Sequence, residues 1–104
     1  MAKVYTNCPV EYTASIISNK WKVLILRDLL GGTKRYNELN RSVVGISAKV
    51  LTQNLKDLES DGIITRKVYP VVPPKVEYSL TKKGLELKSI LDMMKEFGLK
   101  YKDE

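Results

Sequence analysis

Four polar side chains near the middle of the chain have the types and the spacing that nucleic-acid recognition needs. They recur at spacings of three, one and three: Lys49, Thr52, Gln53 and Lys56. On a helix this spacing places them on one face. Lysine can bind phosphate oxygens, and glutamine and threonine can reach base edges in the major groove of DNA. The alternative is an ordinary solvated helix face, which is common for polar stripes.

The neighbouring residues predict the helix that carries this stripe. Ser47 follows a glycine turn and is a favourable N-cap, so a helix is expected over 47–61, ending at Gly62. Three leucines recur at spacings of four and three and predict a buried stripe on another face: Leu51, Leu55 and Leu58. A polar face and an apolar face on one helix indicate that its apolar side packs on a core.

The order of the surrounding elements is more informative than the stripe alone. A short helix is predicted at 36–43 (YNELNRSV) and a glycine turn at 43–46 (VVGI). The stripe-bearing helix follows, and 63–80 alternate as the two strands of a hairpin with a stiff PVVPP tip. This is a helix-turn-helix over 36–61 followed by a wing, an arrangement that places its second helix in the major groove.

Basic residues flank the predicted motif on both sides. Lys34 and Arg35 precede its first helix, and Arg66, Lys67 and Lys75 lie on or near the wing. All can reach phosphates, although Arg66 and Lys67 could also protect an edge strand from aggregation. The predicted DNA-binding residues are therefore Lys34, Arg35, Ser47, Lys49, Thr52, Gln53, Lys56, Arg66, Lys67 and Lys75.

Length and charge agree with a small DNA-binding protein. With 104 residues, the chain is expected to form one domain over 1–104. Its net charge of +6 favours polyanionic partners. The acids of the second motif helix lie near its C-terminal end, and its N-terminal half carries Lys49 and no acid. Asp57 and Asp61 are interpreted as part of a solvated face rather than as a catalytic pair.

The residues for common enzyme and metal chemistry are missing. The chain has no histidine and one cysteine, which excludes a Cys–His pair and a soft-metal ligand set. GGTKRY lacks the spacing of a phosphate-binding loop. We therefore expect no enzyme, no metal and no cofactor. No apolar stretch suits a membrane span or a signal peptide, which predicts a cytoplasmic protein.

Two helices are predicted before the motif. Pro9 suits the first position of one helix, with Cys8 as its N-cap and PVEYTASIIS as its body. WKVLILRDLL is apolar over most of its circumference and predicts a central core helix that ends at the glycine pair 31–32. Within so apolar a helix, Trp21 is interpreted as a core residue rather than a base-stacking platform.

The C-terminal segment predicts a dimerisation helix over 81–101 that Thr81 caps. Its apolar residues recur at spacings of three, four, three and four, as in a heptad seam: Leu87, Ile90, Met94, Phe97 and Tyr101. The seam could instead pack on the protein's own core, but Leu91 and Met93 extend the apolar surface and favour a homodimer. A two-fold dimer would bind a pseudo-palindromic DNA operator with recognition helices about 34 Å apart.

Most of the chain resembles the HxlR family of bacterial transcription regulators, which are related to the MarR group. The resemblance rests on CPVEYTASIISNKWKVLILRDLL, RYNEL, GISAKVLTQNLKDLESDGII and VYPVVPPKVEYSLTKKG. It implies an α+β, mostly α fold: a winged helix-turn-helix with a β-hairpin wing and terminal dimerisation helices. It further implies a recognition helix at 47–60, a wing around 69–75, and a homodimer formed by the first and last helices.

Cys8 matches the family's N-terminal cysteine, which serves in many members as a sensor of oxidants or electrophiles. A thiol at a helix N-terminus lies at the positive end of the helix dipole, which favours the reactive thiolate. The alternative is a small, buried capping residue. The function expected is a sequence-specific, double-stranded-DNA-binding transcription regulator, with Cys8 as a redox-sensing candidate. The alternatives are a protein-interaction winged-helix module and a thiol-based redox protein without operator specificity.

Overall fold

Residues 7–104, described by a computed structural model, form six helices and three strands. The helices are α1 (Pro9–Ile16), α2 (Lys20–Leu29), α3 (Tyr36–Ser42), α4 (Ala48–Ser60), α5 (Lys82–Leu85) and α6 (Lys88–Tyr101). The strands are β1 (Lys34–Arg35), β2 (Ile64–Tyr69) and β3 (Lys75–Leu80). The predicted winged helix-turn-helix is confirmed, with α3 and α4 as the motif and β2–β3 as the wing. Expectations for residues 1–6 lie outside the described residues.

The core lies between α2, α4 and the inner face of the sheet. Its largest fully buried side chains include Ile25 and Leu26 of α2 and Leu51 and Leu58 of α4. The predicted leucine stripe of α4 is therefore confirmed. Trp21 packs half-buried against this core, as predicted. Burial of these side chains holds α4 in place, because each apolar side chain removed from water contributes about 1.5–3 kcal/mol.

The sheet has the strand order β1-β3-β2, and both pairs are antiparallel. Strand β1 was not predicted, because two residues are too few to show an alternating pattern. It pairs with β3 so that Lys34 lies opposite Tyr78 and Arg35 opposite Glu77. Since successive side chains point to opposite faces of a strand, these two cations lie on different faces of the sheet. The buried Tyr78 marks the inner face.

The predicted single helix over 81–101 is wrong, because the segment is broken at residues 86 and 87. Thr81 caps only the short α5, where its Oγ1 accepts from the Gly84 backbone N–H at 3.0 Å. The same hydroxyl donates to the Gly62 carbonyl at 2.6 Å, which fixes the start of α5 against the end of α4. Leu87 then makes a tight turn to the Gly84 carbonyl before α6 begins.

The two N-terminal helices have slightly different limits from those predicted. Helix α1 ends at Ile16, and α2 begins at Lys20 because the Asn19 side chain caps it by accepting from the Lys22 N–H at 3.0 Å. Cys8 occupies the N-cap position of α1, but its side chain makes no capping hydrogen bond. None of the helices between residues 7 and 104 combines the length and apolar character that a membrane span needs.

Candidate nucleic-acid interface

Helix α4 presents its polar stripe to solvent. The Ser47 hydroxyl accepts from the Val50 backbone N–H at 3.2 Å and caps the helix as predicted. The preceding turn contains Gly45 with a φ of +87°, a conformation that side chains with a Cβ rarely adopt. Lys49, Gln53 and Lys56 are exposed on α4. Their exposure leaves a continuous strip of donors that a DNA groove could meet.

Thr52 differs from the other residues of the predicted stripe. It is half-buried, and its hydroxyl lies 3.0 Å from the Tyr36 hydroxyl. Tyr36 donates its only hydroxyl proton to the Ala48 carbonyl at 3.1 Å, so Thr52 must donate to Tyr36. The contact joins α3 to α4. Thr52 therefore stabilises the helix-turn-helix itself, while the exposed part of the stripe is Lys49, Gln53 and Lys56.

Helix α2 holds α4 through polar contacts that the sequence patterns did not predict. Asn19 donates from Nδ2 to Asn54 Oδ1 at 3.1 Å, and Lys22 Nζ lies 3.4 Å from Asp57 Oδ2. The interpretation of Asp57 as part of a solvated face is wrong, because this carboxylate is half-buried and paired with a buried lysine. A signal was available: Lys22 is a charged residue within the helix that the sequence predicts to be the central core helix.

The basic residues near the wing divide between the two faces of the sheet. Arg66 lies opposite Tyr78 on the inner face, beside a cleft of about 450 Å³ that separates α4 from the wing. Lys56 lines the same cleft. Lys34 also lies on the inner face, beside a second cleft that Arg27, Asp28 and Arg41 help to line. The structure thus brings Arg66 close to the recognition helix and keeps Lys34 apart from it.

The outer face of the wing carries a cluster built around one aromatic ring. Lys67 Nζ and Lys75 Nζ lie 4.9 Å and 4.7 Å from the centroid of the Tyr69 ring, within the range of cation–π attraction. Lys75 Nζ also lies 3.3 Å from Glu77 Oε2. The pKa of Glu77 is lowered from 4.5, chiefly by a hydrogen bond from Tyr69; burial opposes this, and Lys75 and Arg35 lower the pKa further. Tyr69 and Glu77 therefore fix the positions of two predicted phosphate-binding lysines.

The predicted dimer seam is only partly available on the surface. The assignment of Leu87 to the dimer seam is wrong, because its side chain is buried in the core of its own chain and offers almost no surface to a second copy. Ile90 is half-buried against the same core. Five apolar side chains are exposed from the middle of α6 to its C-terminal end: Met93, Met94, Phe97, Leu99 and Tyr101.

Cys8 is exposed at the start of α1. The alternative of a buried capping residue is therefore wrong. Helix α1 is tied to the rest of the domain by Lys83, whose Nζ donates to the Tyr12 hydroxyl at 2.8 Å and to the Asp61 carbonyl at 2.9 Å. The carbonyl belongs to the residue that ends α4, so one lysine joins the cysteine-bearing helix to the recognition helix.

Known proteins are similar to this chain in both sequence and fold. Residues 16–104 match the model of the HxlR-like helix-turn-helix family. The chain belongs to this family. The HTH-type transcriptional regulator YdeP of Bacillus subtilis strain 168 is 48% identical to it over 99 residues, which cover 95% of this chain and 77% of YdeP. The resemblance noted from the sequence is confirmed.

Solved structures of named regulators match this HxlR-like chain closely. The redox regulator HypR in its reduced form is 46% identical with a TM-score of 0.88, over 92% of this chain and 95% of HypR. The reduced form of the transcriptional regulator YodB from B. subtilis is 35% identical with a TM-score of 0.79, over 92% of this chain and 95% of YodB. This protein is thus a helix-turn-helix transcriptional regulator, and its family consists of regulators rather than enzymes.

Proposed function

We propose that this HxlR-like regulator binds double-stranded DNA sequence-specifically as a homodimer, with α4 in the major groove. The observation that carries the proposal is the exposed strip of Lys49, Gln53 and Lys56 on a helix that α3 and α2 hold from behind. A DNA-binding regulator acts where the chromosome lies, which agrees with the cytoplasmic location expected from the sequence.

In the proposed complex, Gln53 contacts a base edge, and the lysines of the stripe bind phosphates. Arg66 lies beside the α4–wing cleft and would bind the backbone next to Lys56. Lys67 and Lys75 project from the outer face of the wing and would bind a further stretch of backbone. Arg35 on the outer face, Lys34 near α3, and the exposed residue Ser47 at the start of α4 complete the proposed contacts.

In the proposed homodimer, α6 forms the main part of the interface and α1 contributes to it. Exposed apolar side chains on α6 are costly in water, and a second copy would remove them from solvent. A C2 dimer presents two recognition helices and binds a pseudo-palindromic operator with half-sites about 34 Å apart.

Cys8 is proposed as the redox-sensing residue. Its exposure at the start of α1 leaves the thiol accessible, and HypR, a relative of high similarity, is described as a redox regulator. The chain has one cysteine, so its oxidation would end in a bond to the other subunit or in a mixed disulfide with a small thiol.

Selection of duplexes from a random-sequence library tests the proposed function. The wild-type protein should enrich a two-fold-related sequence, and its affinity should fall steeply with salt. Lys49→Ala should flatten the salt slope by about one unit for its lost phosphate contact. Lys100→Ala on α6 is the matched control and should leave the slope unchanged. Failure to enrich any duplex would contradict the proposal and favour a protein-interaction module.

A further inference from the structure

A buried lysine lies behind the recognition helix. Lys22 is only 6% exposed, although it belongs to the apolar core helix α2. Its ammonium contacts Asp57 Oδ2 at 3.4 Å and Ser18 Oγ at 3.5 Å. Burying a charge costs desolvation free energy unless the charge is paired. A leucine or methionine at this position would carry no such desolvation cost. The lysine therefore points to a requirement beyond core packing.

The carboxylate that Lys22 holds also contacts the recognition stripe. Asp57 Oδ1 accepts from Gln53 Nε2 at 3.0 Å, one turn along α4. An ionised carboxylate only accepts hydrogen bonds, so it fixes which end of the glutamine amide faces it. This contact leaves the carbonyl oxygen and the second N–H of the exposed Gln53 side chain available for a base edge.

A second contact fixes the rotation of α4. Asn54 is buried, accepts from Asn19 at 3.1 Å and donates to the Val50 carbonyl at 2.8 Å. Asn54 and Asp57 are three residues apart and both bind the first turn of α2. Two contacts on one helix fix its rotation about its own axis. Gln53 therefore has a defined direction as well as a defined amide orientation.

We propose that Lys22 and Asp57 are positioning residues that fix the Gln53 amide for an adenine in the operator. The inference rests on the proposed binding of DNA by α4. An acceptor beside a donor matches the N6 amino group and N7 of adenine in the major groove. A free glutamine side chain loses conformational entropy on binding. The contacts from Lys22 to Asp57 and from Asp57 to Gln53 order this side chain already in the free protein.

A double-mutant cycle tests whether Asp57 acts through Gln53. Discrimination is measured as the ratio of affinities for the library-selected duplex and a random duplex. Gln53→Ala should lower it by about 5- to 150-fold. Asp57→Asn should lower it by about 2- to 12-fold, because its single side-chain carbonyl oxygen goes to the charged Lys22 rather than to Gln53. In the Gln53→Ala background, Asp57→Asn should cause no further loss.

The affinity for random duplex distinguishes a positioning role of Asp57 from a merely structural one. Asp57→Asn removes a negative charge near DNA, so this affinity should hold or rise, whereas a loosened fold would lower affinity for both duplexes. Asp92→Asn is the charge-matched control, because Asp92 forms an i,i+4 pair with Lys88 on α6. It should leave discrimination unchanged.

The outcomes distinguish the inference from the proposed function. If the losses from Gln53→Ala and Asp57→Asn multiply independently, the positioning role is wrong while DNA binding by α4 stands. If Gln53→Ala leaves discrimination unchanged, the base contact and the positioning role both fail. If the wild-type protein selects no duplex, the proposed function fails first.

A measurement without DNA tests the same chain of contacts. In the free protein, the side-chain amide of Gln53 should have a high ¹⁵N order parameter by NMR relaxation. Lys22→Met and Asp57→Asn should both lower it, and Lys22→Arg should restore it in part because arginine keeps the charge. An amide that is equally mobile in all four proteins would overturn the inference.

Discussion

At the residue scale, the proposed sensing role of the exposed Cys8 thiol can be tested directly. Mild treatment with diamide or peroxide should lower the operator affinity of the wild-type protein by about tenfold or more. We expect this because a modified thiol at the start of α1 changes contacts at the proposed dimer surface, and a coupling of 1–3 kcal/mol is typical of such effects. Electrophoretic mobility shift before and after treatment measures the change.

The matched variant for this prediction is Cys8→Ser. It should bind the operator as well as the reduced wild-type protein does, and it should not respond to oxidant. An equal loss in both proteins, or no loss in either, would show that Cys8 is not the sensor. Addition of dithiothreitol should restore binding by the oxidised wild type, because it reduces both a sulfenic acid and a disulfide to the other subunit back to the thiol.

Glu77 at the base of the wing predicts a pH dependence. Its pKa is lowered from 4.5 because the Tyr69 hydroxyl and Lys75 stabilise the carboxylate. A carboxyl whose pKa is lower in the folded state contributes stability above its unfolded pKa. That contribution is lost as the pH falls through the folded value. The wing cluster should therefore stay intact at neutral pH and weaken only below about pH 4.5.

A ¹³C NMR titration of the Glu77 carboxyl checks this. Its midpoint should lie below 4.5 in the wild-type protein, the ordinary value for this group. In Tyr69→Phe the midpoint should rise towards the ordinary value, because the largest stabilising contact is gone. A wild-type midpoint at or above that value would contradict the cluster described here.

At the scale of elements, the junction between the wing and α5 depends on close backbone approach. A Cβ built on Gly84 would clash with the Ile63 carbonyl oxygen. That oxygen belongs to the backbone and cannot move aside cheaply, since it also accepts from the Thr81 N–H. Gly84→Ala should therefore lower the free energy of unfolding by about 1–3 kcal/mol, as overpacking does.

Gly98 in α6 provides the control for this substitution. A Cβ there would meet nothing within 4 Å among residues 7–104. Gly98→Ala should raise the free energy of unfolding by about 0.5–1 kcal/mol, because alanine is the better helix former. Urea denaturation followed by circular dichroism measures both variants. Similar effects for the two substitutions would contradict the packing of α5 against the Ile63 backbone.

At the scale of the whole molecule, the apolar second half of α6 predicts assembly. Phe97 is 68% exposed in the single chain, and its ring lies 5.0 Å from that of Tyr101. Phe97→Asp would place an unpaired charge in the proposed interface and should yield monomers with much weaker operator affinity. Ile90 is a poorer choice for this test because it packs on its own core. Sedimentation velocity at micromolar concentration measures the association state.

Val44→Asp is the matched control for Phe97→Asp. Val44 is also apolar and 84% exposed, but it lies in the turn before α4. This variant should sediment as the wild-type protein does. A wild-type protein that is monomeric at micromolar concentration would show that α6 is not a dimer surface.

The sequence alone determined the elements whose signals are local. The leucine stripe of α4, the cap at Ser47 and the glycine turn each depend on residues within a few positions of one another. A period or a cap is therefore visible without knowing what packs nearby. The order of these elements predicted the winged helix-turn-helix, the family resemblance pointed to the same fold, and the structure confirmed it.

The tertiary structure decided everything that depends on residues far apart in the chain. The Lys22–Asp57 pair joins two helices, β1 exists only because β3 lies beside it, and position 84 has no room for a Cβ because the Ile63 carbonyl lies against it. The sheet likewise separates Lys34 from Arg35, which are neighbours in sequence. These contacts leave no period in the sequence, since their energies come from partners that only folding brings together.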